Sequence, residues 1–113
     1  MKIKNTGLPT DFENGLTACM GELGIRSGDH VYVTGNLGAL GRVRIGKEQK
    51  KELLLKAFQN NIGPHGTLFS PAASMNLCNT DVPFDLRMTP SHQMGSFAEY
   101  LRRKSEAERS LHP

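Results

Sequence analysis

Apolar residues recur at helical intervals in three stretches of this chain and cluster without that period in two shorter ones, a pattern that predicts three helices and two strands. From Thr10 onward, Phe12, Leu16, Met20 and Leu23 fall along one face, and Thr10 and Glu13 have the spacing of a capping box. Gly24 offers the left-handed residue that ends such a helix, with Ile25 placed to pack back on the last turn. Residues Met1 to Pro9 are polar, close with a proline and are expected to form an arm.

Arg26-Ser27-Gly28-Asp29 reads as a turn, and His30-Val31-Tyr32-Val33-Thr34, dense in β-branched and aromatic residues, as a buried strand. A glycine-spaced loop follows through about Gly46. Lys47 to Ile62 then carries Leu53, Leu54, Ala57, Phe58 and Ile62 on one side and lysines on the other, and stops at Gly63-Pro64. Gly66-Thr67-Leu68-Phe69-Ser70-Pro71 reads as a second strand. Arriving after a crossover helix, it should run parallel to the first with right-handed connection. Ala72 to about His92 has little periodicity and is expected to be a long functional loop. Gln93 to Lys104 recovers helical spacing through Met94, Phe97, Ala98 and Leu101.

The predicted class is therefore α/β: a βαβ unit of parallel strands with flanking helices. Two parallel strands leave open edges, so residues 1–113 read as a single partial domain. At 113 residues, folding buries roughly two-thirds of the unfolded chain's surface. Hydrophobic residues at 37% and charged residues at 22% exclude wholesale disorder.

The net charge of +3 suits an acidic partner but falls short of a nucleic-acid-binding stripe. The basic residues gather in two clusters: Arg42, Arg44, Lys47, Lys50 and Lys51, then Arg102, Arg103, Lys104 and Arg109. Cys19 and Cys78 have no metal-site or redox spacing, so no metal is expected. With neither a leader pattern nor an apolar run of membrane-spanning length, the expectation is a cytoplasmic protein without membrane contact.

The strand feeding Gly35-Asn36-Leu37-Gly38-Ala39-Leu40-Gly41, with a basic helix beyond, could turn main-chain amides toward an anion. On the residues alone two readings stay open there: a phosphate cradle, and a plain strand-to-helix connection with a solvated basic face.

The order and spacing of further pieces resemble the amino-terminal part of the aminoglycoside 3-N-acetyltransferase family. They are Leu23-Gly24-Ile25, Gly28-Asp29, Leu37 to Gly41, Gly63-Pro64-His65-Gly66-Thr67-Leu68, Pro71, Phe84-Asp85, Thr89-Pro90-Ser91, Met94-Gly95, Glu99 and Arg109-Ser110-Leu111-His112-Pro113. The resemblance implies transfer of an acetyl group from acetyl-CoA to an amine of an aminoglycoside or amino sugar. It places the CoA diphosphate and pantetheine arm along the loop Gly35 to Val43. The implied cofactor-binding residues are Asn36, Leu37, Gly38, Gly41, Arg42, Val43 and Arg44, with Ser110 and His112 from a Ser-x-His-Pro element.

Family members often carry a His-Ser-Ser-like run where this chain has Thr34-Gly35-Asn36, so backbone contacts rather than side-chain ones are expected from that turn. Asp85 is the candidate partner of the amine substrate, against the commoner role of a loop aspartate in its own turn. The family's general base, a histidine with an acidic partner, lies downstream of Ser-x-His-Pro. Nothing here matches it, and no catalytic residue is assigned to His30, His65 or His92. The partners expected are thus a small-molecule amine and a second copy of the chain in a homodimer, with no nucleic acid. The alternative is a non-catalytic nucleotide-binding or interaction module using the basic loop and the helix from Lys47, and a third reading is a truncated product that folds poorly.

Overall fold

The computed structural model describes residues 8–40 and 44–110. Cα packing divides the chain into two compact units, one of residues 1–32 and 40–69 and one of residues 33–39 and 70–113.

In the first unit, α1 runs Pro9–Glu22 and α2 runs Lys47–Ile62. Pro9 occupies the first turn of α1, where its fixed φ is pre-set for a helix and its missing N–H costs nothing. The helix thus starts ahead of the predicted Thr10, with Leu8 as an N-cap making no side-chain bond. The predicted capping box does not form; instead the Glu13 carboxylate accepts from Asn60 Nδ2 on α2 at 3.3 Å. The other end follows the sequence. Gly24 takes φ +94° and donates to Gly21 O at 3.1 Å, and the Ile25 amide donates to Met20 O at 3.1 Å, the paired bonds of a glycine-terminated helix.

Phe12, Leu16, Cys19 and Met20 of α1 are buried, as are Leu53, Leu54, Ala57, Phe58 and Ile62 of α2, and the two helices pack together. Each large side chain buried there is worth about 1.5–3 kcal/mol of transfer free energy. Asn61 stitches the pair, its Nδ2 donating to Ala57 O at 2.9 Å and across to Thr17 O at 3.2 Å.

Strands β1 (His30–Tyr32) and β2 (Thr67–Phe69) form a two-stranded parallel sheet with His30 opposite Thr67 and Tyr32 opposite Phe69. Gly66 is required where β2 begins: a Cβ there would lie 2.6 Å from Ile62 Cβ and 2.7 Å from Asp29 O. The βαβ unit and its parallel sense match the sequence pattern, but both strands are shorter than predicted. Nor is β1 the buried strand expected. Parallel strands are ordinarily covered on both faces, yet here Val31 and Leu68 are half-buried while Tyr32 and Phe69, on the opposite face, stay 55% and 47% exposed. Their rings meet at 5.3 Å.

In the second unit, α3 spans Ser96–Arg102, shorter than the predicted Gln93 to Lys104. Gln93 and Gly95, at φ +57° and +95°, stand outside right-handed helical space and delay its start. The stretch 72–92, expected as a patternless loop, includes a 3-10 turn at Met75–Leu77 and is fastened internally. Ser74 Oγ donates to Pro90 O at 2.7 Å, and the His92 amide to Ala73 O at 2.9 Å. Cys78 in this stretch is a free, exposed thiol, whereas Cys19 is a free, buried one. The expected arm, residues 1–7, lies outside the described residues.

Candidate functional site

The candidate cradle follows β1. Gly35 turns the chain at φ +129°, and the expected open loop is instead wound into a 3-10 turn over Leu37–Leu40. Asn36 starts that turn by accepting the Gly38 N–H on its Oδ1 at 2.9 Å, a local side-chain bond of the kind asparagine makes readily. The Gly38 amide is therefore spoken for, while those of Asn36 and Leu37 take no acceptor among the described residues. Arg44 is exposed; Gly41, Arg42 and Val43 lie outside the described residues. The structure thus brings Asn36, Leu37 and Gly38 into one turn.

Asp85 is exposed, and its Oδ1 accepts the amides of Met88 at 2.8 Å and Arg87 at 2.9 Å. These bonds, that of Met88 first, hold its carboxyl below the usual aspartate range, so it is an anion at neutral pH. Its own amide donates to Thr89 Oγ1 at 2.7 Å, which closes the turn. The structure gives Asp85 the turn-forming role.

Sequence reasoning missed the polar network behind these residues. Glu99 on α3 accepts from the Ser91 amide at 2.8 Å and the Ser91 hydroxyl at 2.6 Å, and is gripped by the Arg102 guanidinium. Burial opposes its charge, but the bonds from Arg102 and Ser91 outweigh it and set its carboxyl below the usual glutamate range. Arg102 Nη1 also donates to Arg87 O at 2.7 Å.

Arg109 bridges farther still, donating to Thr89 O at 2.6 Å, Ala72 O at 2.5 Å and Ser74 Oγ at 2.9 Å, with its guanidinium 4.6 Å from the Phe84 ring centre. Burial and the neighbouring Arg102 lower its pKa. Two members of the second basic cluster are therefore structural clamps rather than a solvated surface. Arg109 anchors the chain directly before Ser110, which is exposed, while His112 lies outside the described residues. The one signal for this network was the i,i+3 spacing of Glu99 and Arg102 in the helical stretch; nothing in the sequence ties Ser91 to them or says which carbonyls a guanidinium will take.

Among the described residues no three of His, Cys, Asp and Glu gather as a metal site, and no carboxylate bonds the imidazole of His30, His65 or His92. No described helix is long and apolar enough to cross a membrane.

The fold recurs in solved structures. The YokD protein from Bacillus subtilis superposes with a TM-score of 0.74 at 23% identity, over 89% of this chain and 47% of that one. Aminoglycoside acetyltransferase AAC(3)-IVa, in a mutant form complexed with apramycin, gives 0.74 at 25% identity, over 89% of this chain and 39% of that one. AAC-IIIb, binary with CoASH, gives 0.70 at 22% identity, over 87% and 41%. The chain spans less than half the length of each, as a partial α/β domain. A family model described as aminoglycoside 3-N-acetyltransferase matches residues 33–113, a span that takes in the Asn36 turn, the Asp85 turn, α3 and Arg109. The chain belongs to the aminoglycoside 3-N-acetyltransferase family.

Proposed function

We propose that residues 1–113 are part of a CoA-dependent N-acetyltransferase domain that moves acetyl from acetyl-CoA to an amine of an aminoglycoside or amino sugar, and that this part contributes to holding CoA. The observation that carries the reading is the family match over residues 33–113, which includes the turn whose Asn36 and Leu37 amides have no acceptor among the described residues. AAC-IIIb with CoASH and AAC(3)-IVa with apramycin, both of this fold, supply the two substrate classes. The same reading places the chain in the cytoplasm.

The CoA diphosphate is strongly anionic. Main-chain N–H groups at Asn36 and Leu37, with the guanidiniums of Arg42 and Arg44 farther along the same stretch, would replace the water it loses. Gly38 contributes shape rather than a donor, since its amide is held by Asn36. Gly41 and Val43 complete the stretch. Ser110 and His112 are proposed to bond the pantetheine amides, with Ser110 placed by Arg109. Asp85, ionised by its turn, is proposed to attract the ammonium form of the acceptor.

In acetyl transfer the amine nitrogen bonds the thioester carbon, the carbon–sulfur bond breaks, and the proton shed by nitrogen ends on the departing thiol. A general base must carry that proton, and no described histidine has the carboxylate partner suited to it. The proposal for these residues is therefore binding and positioning.

Calorimetric titration of the chain with CoA tests this. Saturable binding is expected, weakened about ten-fold or more by Arg42→Ala with Arg44→Ala, which is a loss of about 1.4 kcal/mol. A folded chain without CoA affinity that binds short DNA in a salt-sensitive way would overturn the reading in favour of a non-catalytic module.

A further inference from the structure

The Asn36 turn is fixed from a second direction, by a glycine far from it in sequence. Gly95, the residue before α3, has φ +95° and ψ 153° and carries no side chain where one would matter. A Cβ built on it would lie 2.6 Å from the carbonyl oxygen of Gly35 and 3.8 Å from its carbon. Both contact atoms are main chain, so no flexible side chain could give way. Gly35 is a glycine for another reason: its φ is +129° and nothing lies within 4 Å of the place its Cβ would take. Both glycines bend the chain at positive φ, and of the two only Gly95 also makes the contact.

We infer that Gly95 is a positioning residue, the seat on which the Gly35 carbonyl rests, and that it sets the orientation of the turn offering the Asn36 and Leu37 amides. The link to CoA rests on the function proposed above; the link between the glycines does not. The seat is itself anchored. The Gly95 carbonyl accepts the Glu99 amide at 3.2 Å, Phe97 and Ala98 in the following turn are buried, and the Glu99 carboxylate is tied to Ser91 and Arg102. An L side chain at position 95 must therefore push the Gly35 carbonyl away rather than move α3, and the peptide plane that carries that carbonyl also carries the Asn36 N–H.

The test compares three full-length chains made by ligation at Cys78, with glycine, L-alanine or D-alanine at position 95. D-Alanine accepts positive φ without strain and places its methyl on the other hydrogen of Cα, so it keeps a methyl at position 95 while relieving the backbone strain and the contact together. Gly95→Ala is expected to speed exchange of the Gly38 amide, the bonded one of the turn, about ten-fold or more, with α1 and α2 amides unchanged, and the D-alanine chain to stay within about two-fold of the parent. CoA affinity should fall about ten-fold in the first and hold in the second.

Unchanged exchange at Gly38 in Gly95→Ala overturns the inference, as does equal loosening by both alanines. If Gly95→Ala does not fold, the parent chain decides. A nuclear Overhauser contact between the Gly95 and Gly35 protons supports the seat, and its absence overturns it. A parent chain without CoA affinity removes the proposed function while the exchange comparison still decides the role of Gly95.

Discussion

Between α1 and α2 the chain is joined by Phe12, Leu16, Met20, Leu54, Ala57 and Phe58, all apolar or nearly so. Between Ser70 and Ser110 it is joined by Glu99, Arg102, Arg109, Ser74 and Asp85, most of them bonding main-chain atoms. The first arrangement is non-directional and tolerates small shifts of one helix on the other. The second fixes individual carbonyls and amides, and so fixes loop conformation without needing strand or helix. A segment that must present particular groups while remaining irregular is better served by the second.

The largest effect should come from breaking the apolar half. Phe12→Ala leaves a void in the helix pair and is expected to cost about 3–5 kcal/mol in urea unfolding, a large share of the 5–15 kcal/mol typical of a domain. Next comes the polar half: Arg109→Ala strips donors from Thr89, Ala72 and Ser74 and should speed amide exchange over 72–92 about thirty-fold, matching about 2 kcal/mol for charged hydrogen bonds. Helix amides in α1 and α2 should be unaffected; if they exchange faster by the same factor, the two regions open as one and the contrast fails.

Acid sharpens the comparison. Because folding lowers the Glu99 pKa, its contribution is complete above its ordinary value of 4.5 and fades as pH falls through the still lower folded value. Protection of the 72–92 amides, relative to their intrinsic exchange at each pH, should therefore fall below about pH 4.5 in the parent chain, and Glu99→Gln should abolish that dependence while leaving a looser segment at neutral pH. Asp85→Asn should do less, speeding the Arg87 and Met88 amides by about two-fold and weakening any amine acceptor without touching CoA. Smallest of all, Lys56→Ala removes an exposed pair with Glu52 at 3.7 Å and should move the urea midpoint by no more than about 0.5 kcal/mol of stability.

What the sequence disclosed divides along the same line. Period and punctuation are local, so α2 was legible to both ends, from Lys47 to the glycine at 63, and so was the Gly24 stop of α1. The parallel sense of the strands followed from the crossover between them. Pro9 was misjudged because proline closes an arm as readily as it opens a helix. The exposure of Tyr32 and Phe69 was not legible, since apolar composition describes what a strand could bury and not what covers it. At the candidate site, the Gly35 bend was legible as a glycine-spaced turn, but the capture of the Gly38 amide by Asn36 and the seat under Gly35 at Gly95 depend on atoms that meet only in the folded chain. Arg109 stood among other cations and read as surface charge; its carbonyl partners lie 20 and 37 residues back.

The two cysteines fall one on each side of this division, Cys19 inside the helix pair and Cys78 out in the polar segment. The unaltered protein accordingly carries a pair of chemical clocks. A maleimide should couple to Cys78 at the rate of an open thiol, and to Cys19 only as fast as the helices part. Following both adducts by mass in one tube would time the opening of the apolar half against an internal standard, with no substitution anywhere in the chain.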